Sequence, residues 1–289
     1  PLTRGTDARE HPGMERCVLR VLAIALALCV VPRAPGAGAA PLFAFGAVAD
    51  IQYGDKETVG KRQYRRSLQI LPAAVGRFNA EPLAFVVHCG DLYDGYGKGK
   101  PKPARADALR ILPVLQRVSA PLYHVVGNHC LTAGSDFVAR ELKLERFHYE
   151  FTSPAAKGWR FVVTDGNDAG YGVMSAGQIE WLGRRLAAAK ALGERVLVFC
   201  HYPLLKEAAT NHRLQNPEDV LPVIEGAGCV AAWIAGHDHK GGYSERAGIH
   251  HLTLTGLCES TLEPNFAIFS VYPDRIIEDG FGDEPDREM

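Results

Sequence analysis

The sequence predicts an α/β fold, because short apolar segments of strand length alternate with longer segments of helical length along most of the chain. From residue 249 onward, strand-like segments follow one another with no helical pattern between them. Composition agrees, since 47% hydrophobic and 22% charged residues in a chain of 289 are typical of a protein with a sizeable core. We therefore expect a parallel or mixed sheet with helical crossovers, followed by a second sheet.

The first 39 residues differ from the rest and are interpreted as a leader (1–39). Basic residues follow Met14, an eleven-residue apolar run occupies 21–31, and small residues stand at 37–39. This order is typical of a secretory signal peptide over 14–39, and the run is shorter than the roughly 20 residues that span a bilayer. We therefore expect export to the periplasm or the exterior, and no stable membrane span after processing. The alternatives are a buried helix, an uncleaved anchor, or an unused leader and a cytoplasmic protein.

Residues 40–289 are predicted to form a single domain, because no stretch within them has the composition of a linker. Their five cysteines are scattered without a C-x-x-C pair, which argues against a disulfide framework. A net charge of −1 argues against nucleic acid as a partner.

The elements follow from periodicity and punctuation. Six apolar segments predict strands at 42–49, 83–88, 121–126, 159–164, 195–200 and 229–235. Four amphipathic segments predict helices at 61–79, 105–118, 176–192 and 217–227, and Ser175 is positioned to cap the third. A stretch rich in glycine and proline, 95–103, predicts a mobile loop. The last predicted strands are 249–256, 266–272 and 275–280.

Five of the predicted strands end in side chains that can bind a metal ion. These are Asp50 and Gln52, Asp91, Asn128 and His129, His201, and His237 and His239. Each alone has an ordinary structural explanation, such as a turn aspartate or a hydrogen-bonded histidine. Because binding sites in open α/β sheets lie beyond the carboxyl ends of the strands, we expect the side chains to converge. Two divalent ions about 3.5–4 Å apart need a bridging carboxylate, and Asp91 is the natural candidate.

In this order the motifs resemble those of the calcineurin-like metallophosphoesterases, whose pattern is D-x-H, G-D-x-x-D-G, G-N-H-[DE], a separate His, and G-H-x-H. The corresponding blocks in this chain are Asp50-Ile51-Gln52, GDLYDG at 90–95, GNHC at 127–130, His201, and GHDH at 236–239. Glutamine in the first block, with further similarity over 42–289, resembles one branch, the manganese-dependent ADP-ribose/CDP-alcohol diphosphatases.

The resemblance implies a four-layer α-β-β-α sandwich of two mixed sheets flanked by helices. It also implies two divalent metal ions, Mn²⁺ first, with Fe²⁺ or a mixed pair as alternatives. One ion would be held by Asp50, Gln52, Asp91 and His239, and the other by Asp91, Asn128, His201 and His237. A hydroxide bridging the ions would be the nucleophile, and His129 would be a catalytic residue that assists the leaving oxygen.

Three further residues lie beside these motifs. Asp94 is a candidate for orienting His129, or for stabilising the turn before Gly95. Tyr53 and Tyr96 are candidates for stacking on a nucleobase, although aromatic residues beside a loop are more often packing residues. Two departures from the family pattern affect these expectations. Cys130 replaces an acidic residue, and the segment 165–178 is short, which puts the substrate preference in doubt.

The resemblance implies cleavage of the phosphoanhydride of nucleoside diphosphate derivatives, ADP-ribose or CDP-alcohols, to two monophosphates, by a protein predicted to be a monomer. The alternatives are a cyclic-nucleotide phosphodiesterase or a phosphomonoesterase on the same two-metal site, and a non-catalytic binding protein. All seven candidate ligands are present, which favours an enzyme.

Overall fold

The strands of the computed structural model pair into two six-stranded sheets, each with parallel and antiparallel neighbours. The structure describes residues 40–97, 99–209 and 212–289, so the predicted leader over 1–39 lies outside the described residues. Among the described helices, none combines the length and the apolarity needed to cross a membrane.

In chain order, the strands are β1 (Phe43–Val48), β2 (Val86–His88), β3 (Leu122–His124), β4 (Tyr149–Phe151), β5 (Trp159–Val163), β6 (Arg195–Phe199), β7 (Val230–Ala235), β8 (Lys240–Arg246), β9 (Ile249–Thr255), β10 (Phe266–Val271), β11 (Ile276–Phe281) and β12 (Arg287–Glu288). The helices are α1 (Ser67–Ala80), α2 (Pro101–Leu115), α3 (Ser135–Leu142), α4 (Ala176–Ala191) and α5 (Pro217–Ala227).

The first sheet has the order β12-β11-β10-β1-β2-β3, and the second has the order β4-β5-β6-β7-β9-β8. Their facing sides form an aromatic core: the Phe45 ring lies 4.7 Å from Phe269 in its own sheet and 5.9 Å from Phe199 in the other, centroid to centroid. The outer faces are covered by helices, with Phe78 of α1 buried against the first sheet and Leu182 of α4 against the second. The predicted four-layer sandwich is thereby confirmed.

The strand-only region after residue 249 does not build a separate second sheet, contrary to the prediction. β9 pairs with β7 and β8 in the second sheet, whereas β10, β11 and β12 extend the first sheet from the free edge of β1. The reason is that β1 has an apolar side chain on each face and needs a partner on both edges, which β2 alone does not supply.

Several predicted boundaries also change. Helix α1 begins at Ser67 rather than 61, because the preceding segment forms a Val59–Arg62 bridge and a bond from Gln63 N–H to the Cys258 carbonyl. Helix α2 begins at Pro101, inside the predicted loop, since proline suits the first turn of a helix. Helix α3 and strands β4, β8 and β12 were not predicted. Ser175 is confirmed as a cap, because its Oγ accepts a bond from Gln178 N–H at 3.2 Å.

A buried acidic pair ties the C-terminal strand to the first sheet. The Arg287 guanidinium donates to Glu278 Oε2 at 2.6 Å and to Glu284 Oε1 at 2.9 Å. Glu284 in turn accepts the Thr255 N–H and hydroxyl through Oε2. Burial, and then the neighbouring Glu284, raises the pKa of Glu278 to about 8.

Because the folded protein binds a proton on Glu278 that the unfolded chain releases above pH 4.5, this group stabilises the fold at low pH and loses that contribution as pH rises towards 8. We expect Glu278→Gln to flatten the decline in the free energy of unfolding between about pH 4.5 and 8, and to stabilise the protein above pH 8 by at least about 1 kcal/mol. Denaturant titrations across this range measure it, with the exposed Glu288→Gln as control. Destabilisation at every pH would mean that Glu278 is an ionised partner of Arg287.

Candidate metal centre

The carboxyl ends of five strands meet at one edge of the sandwich: β1, β2 and β3 from the first sheet, and β6 and β7 from the second. Their following residues supply all the predicted ligands. His201 Nε2 lies 3.1 Å from Asp91 Oδ2, and the His237 Nδ1 lies 3.1 Å from the same His201 nitrogen. One ligand atom each of Asp91, His201 and His237 lies within 4.8 Å of the other two. The predicted convergence at the strand ends is therefore present.

A second group of predicted ligands adjoins the first through Asp91. The Gln52 amide nitrogen lies 3.3 Å from Asp91 Oδ2, and His239 Nε2 lies 3.3 Å from Asp50 Oδ1. Asp50 Oδ1 is fully buried and receives no hydrogen bond from the described residues. A buried carboxylate oxygen that accepts no hydrogen bond has a large desolvation cost, which a bound cation would offset.

The backbone is strained where these ligands lie. Six described residues other than glycine have φ in the left-handed region, and four of them are predicted ligands: Asp50 (51°), Gln52 (39°), Asp91 (56°) and His237 (69°). Such conformations cost on the order of 1–3 kcal/mol each and concentrate at functional sites. In this centre they turn successive side chains off the strand ends towards one point.

Two motif glycines leave room for carboxylates. A Cβ atom on Gly127 would lie 2.1 Å from Asp91 Oδ1, and one on Gly236 would lie 2.6 Å from Asp50 Oδ2. The glycines of G-N-H and G-H-x-H are therefore required by the close approach of a carboxylate, from the neighbouring strand β2 at Gly127 and from β1 of the other sheet at Gly236.

The three histidines that are candidate ligands each have a hydrogen-bond partner on the ring nitrogen that faces away from the other ligands. His201 Nδ1 lies 2.9 Å from the Cys89 carbonyl, and His237 Nε2 lies 3.1 Å from the Tyr171 hydroxyl. His239 Nδ1 lies 2.9 Å from Glu259 Oε1. With the proton on this outer nitrogen, the inner nitrogen keeps a free lone pair, as a metal ligand requires. Oxygen and imidazole donors in this mixture suit Mn²⁺ or Fe²⁺, so the residues fit the implied ions.

The pKa shifts of the ionisable groups in the centre also favour the binding of cations. Burial raises the pKa of both Asp50 and Asp91, but His239 and His201 respectively outweigh it, and both carboxyls keep a pKa below their usual range. Burial lowers the pKa of His201, yet Asp91 outweighs this and raises it to about 9. Burial also lowers the pKa of His237, to about 3. The buried carboxylates thus attract positive charge, which metal ions would supply in exchange for protons.

His129 lies at the accessible side of the centre, with 27% of its side chain exposed. Its backbone N–H donates to Asp91 Oδ1 at 2.8 Å, and its Nδ1 contacts the Asp94 carbonyl oxygen. Asp94 Oδ1 lies 3.4 Å from the same nitrogen. Asn128 Oδ1 lies 3.3 Å from the Tyr202 hydroxyl, which also donates to Asn167 at 2.7 Å.

The two tyrosines proposed for stacking have hydroxyl partners in the protein. Tyr53 is buried, and its hydroxyl accepts a bond from Arg110 at 3.3 Å. Tyr96 is half-buried, and its hydroxyl donates to Asp107 at 2.8 Å. Their role in stacking stays a prediction.

The sequence analysis did not identify two residues that contact the candidate ligands, Glu259 and Tyr171. Glu259 follows β9, whose carboxyl end reaches the same edge, so a search of every strand end would have included it. Its carboxylate also pairs with Arg62 at 3.6 Å. Tyr171 belongs to the loop after β5 and reaches His237 only through tertiary structure, so local pattern gives no signal for it.

We expect Glu259→Gln to weaken Mn²⁺ binding by about 10- to 100-fold, because the carboxylate fixes the His239 tautomer and increases the basicity of its Nε2. Isothermal titration of the metal-free protein with Mn²⁺ measures this. Glu263→Gln, an exposed carboxylate on the same loop, is the matched control. Unchanged affinity in Glu259→Gln would show that His239 is oriented by packing alone.

The chain is similar to known proteins over most of its length. Residues 43–241 match the family model described as calcineurin-like phosphoesterase. The chain is similar to the manganese-dependent ADP-ribose/CDP-alcohol diphosphatase of Oryza sativa subsp. japonica, at 30% identity covering 86% of this chain and 94% of that protein. It is similar to the diphosphatase of the same name from Mus musculus, at 27% identity covering 90% and 96%. A crystal structure of a dimetal phosphatase from Danio rerio superposes with a TM-score of 0.78 at 27% identity, covering 86% and 98%.

Proposed function

The chain belongs to the calcineurin-like phosphoesterases, in the family of manganese-dependent ADP-ribose/CDP-alcohol diphosphatases, and we propose that it hydrolyses the phosphoanhydride of nucleoside diphosphate derivatives to two monophosphates. ADP-ribose and CDP-alcohols are the substrates named for its relatives. The observation that carries the proposal is the position of Gln52, against Asp91 and inside the ligand cluster. This position supports a role for the glutamine of the first motif as a metal ligand.

The chain's residues divide into two overlapping ligand sets. Asp50, Gln52, Asp91 and His239 would hold one Mn²⁺, and Asp91, Asn128, His201 and His237 would hold the other. When bound, such ions stabilise negative charge on phosphoryl oxygens and activate water for attack. Two carboxylates cannot neutralise two dications, so the loaded centre favours an anionic diphosphate.

His129 is the catalytic side chain that the protein itself contributes. Its Nδ1 is occupied by Asp94, so its Nε2 is the nitrogen left to hydrogen-bond an oxygen of the leaving phosphate. Partial exposure makes this nitrogen accessible, while the bond from the His129 backbone N–H to Asp91 Oδ1 keeps the residue beside the candidate metal ligands.

The test is a panel of substrates with metal-stripped protein and added Mn²⁺: ADP-ribose, CDP-choline, 2′,3′-cyclic AMP and p-nitrophenyl phosphate. We expect AMP from ADP-ribose and CMP from CDP-choline, only with Mn²⁺ present. Turnover of the cyclic substrate or the monoester alone would replace the diphosphatase with the corresponding alternative. No turnover of any substrate would favour a binding protein.

We further propose that the leader over 14–39 exports the protein, which then acts as a monomer on extracytoplasmic nucleotides. N-terminal sequencing of the protein from its own cells should find a start near residue 40, and light scattering should give the mass of one chain. An intact leader on cytoplasmic protein would contradict export.

A further inference from the structure

We infer that Lys56 is a positioning residue for this reaction: its ammonium group holds Asp94, whose carbonyl and carboxylate orient the His129 imidazole. The inference rests on the proposed function. Nothing in the motif pattern points to Lys56, which lies in the loop between β1 and α1.

The surroundings of Lys56 fix its ammonium group. Nζ forms an ion pair with Asp94 Oδ2 and donates to the Gly95 carbonyl at 3.0 Å. It also lies 4.3 Å from the ring centroid of Tyr64 and 5.2 Å from that of Tyr96, so two aromatic faces enclose it. Only 27% of the side chain is exposed, against 7% for Asp94. A charge pair this enclosed is geometrically defined, unlike a solvated surface pair.

Asp94 transmits this constraint to His129. Oδ2 of the carboxylate is held by Lys56, Oδ1 lies 3.4 Å from His129 Nδ1, and the Asp94 carbonyl contacts that same nitrogen. Oδ1 is buried and receives no hydrogen bond from the described residues, so the carboxylate acts on the imidazole as a nearby charge, while the Asp94 carbonyl accepts the Nδ1 hydrogen. The order of contacts is therefore Lys56 to Asp94 to His129.

Removing the ammonium leaves a buried carboxylate without its cation beside a strongly positive metal centre. Asp94 would then rotate towards His129 and the centre, and the imidazole would lose its fixed orientation. Because Lys56 acts through His129 on the leaving oxygen, the loss should fall on kcat rather than on KM. It should be larger when the leaving group is poor and needs assistance, and small when the leaving group is activated.

The experiment compares Lys56→Met with the wild-type holoenzyme on two pairs of substrates. One pair is the phenyl and p-nitrophenyl esters of thymidine 5′-monophosphate; the other is phenyl phosphate and p-nitrophenyl phosphate. We expect kcat to fall about 10- to 100-fold for the poor leaving group of each pair, and less than about threefold for the activated one. Lys56→Arg should restore most of the loss. Lys61→Met, an exposed lysine of the same loop, is the matched control and should keep the wild-type ratio.

A double-mutant cycle separates positioning from general destabilisation. In a His129→Ala background, Lys56→Met should cause little additional loss of kcat for phenyl phosphate, because the residue through which it acts is gone. Mn²⁺ titration should give the wild-type affinity in Lys56→Met. Equal losses for both members of a pair, or full additivity with His129→Ala, would overturn the inference. If Lys56→Met does not fold, Lys56→Gln makes the same comparison.

The second pair distinguishes this inference from the proposed function. Wild-type protein that leaves ADP-ribose intact but cleaves phenyl phosphate refutes the diphosphatase, while the two phosphomonoesters still test Lys56.

Discussion

Asp91→Asn is expected to weaken Mn²⁺ binding by about 10²- to 10³-fold and to abolish measurable Mn²⁺-dependent hydrolysis. Asp91, which belongs to both proposed ligand sets, is fully buried, and its carboxylate contacts Gln52, His201 and the His129 N–H. Removing one charge from a buried pair costs about 3–5 kcal/mol. Isothermal titration and the ADP-ribose assay measure the two effects.

Asp165→Asn is the matched control for Asp91→Asn. Asp165 is also a buried carboxylate at a strand end, and burial raises its pKa to about 6, but its Oδ1 accepts the Asn167 N–H and it is outside both ligand sets. We expect this variant to retain most of its activity. Near-normal Mn²⁺ affinity in Asp91→Asn would contradict a shared ligand and would assign the ions to separate carboxylates.

Gly127→Ala should reduce kcat for ADP-ribose by about 10²-fold, although it adds only one methyl group. The new Cβ would lie 2.1 Å from Asp91 Oδ1 and 2.7 Å from the Asp91 backbone nitrogen, so the two motif loops must separate. A displacement of about 1 Å in a catalytic centre is sufficient for a loss of this size. Steady-state kinetics with saturating Mn²⁺ measure it.

Gly76→Ala is the control for the added methyl group. Gly76 lies within α1, and a Cβ there would meet no atom within 4 Å. Alanine in a helix interior is expected to stabilise the protein by about 0.5–1 kcal/mol relative to glycine, without affecting turnover. If both variants were fully active, the loop of Gly127 would be more adaptable than its contacts indicate.

The convergence of the candidate metal ligands was predictable, because each follows an apolar run, and the carboxyl ends of parallel strands necessarily lie together. Asp50, Asp91 and His201 needed only that argument. Glu259 was not predicted, because the strand-end argument was not applied to β9. Tyr171 and Lys56 were not predicted, because their contacts, with His237 and Asp94, are between distant loops. Local sequence carries no record of such contacts.

For the fold, the sequence predicted most of the elements but not all of the strand pairings. Helices α4 and α5 have clear amphipathic periods and caps, and their bounds agree with the prediction to within one residue at either end. The pairing of β10 with β1 was missed, because strand-like patterns give the existence of a strand and not its neighbour. Helix α3 and strands β4 and β8 were missed because they are short or lack a strong apolar period.

The pairing of β1 with β10 also determines when the molecule can acquire its metal ions. β1 is made early and carries Asp50 and Gln52 at its end, but its second neighbour, and Glu259 behind His239, come from the last part of the chain to be synthesised. A nascent chain therefore contains several of the candidate ligands before the strands that bring them together have been synthesised. We expect metal to be captured only after the C-terminal strands have docked. For an exported chain, this makes the compartment where folding ends, and its supply of ions, the selector of the metal.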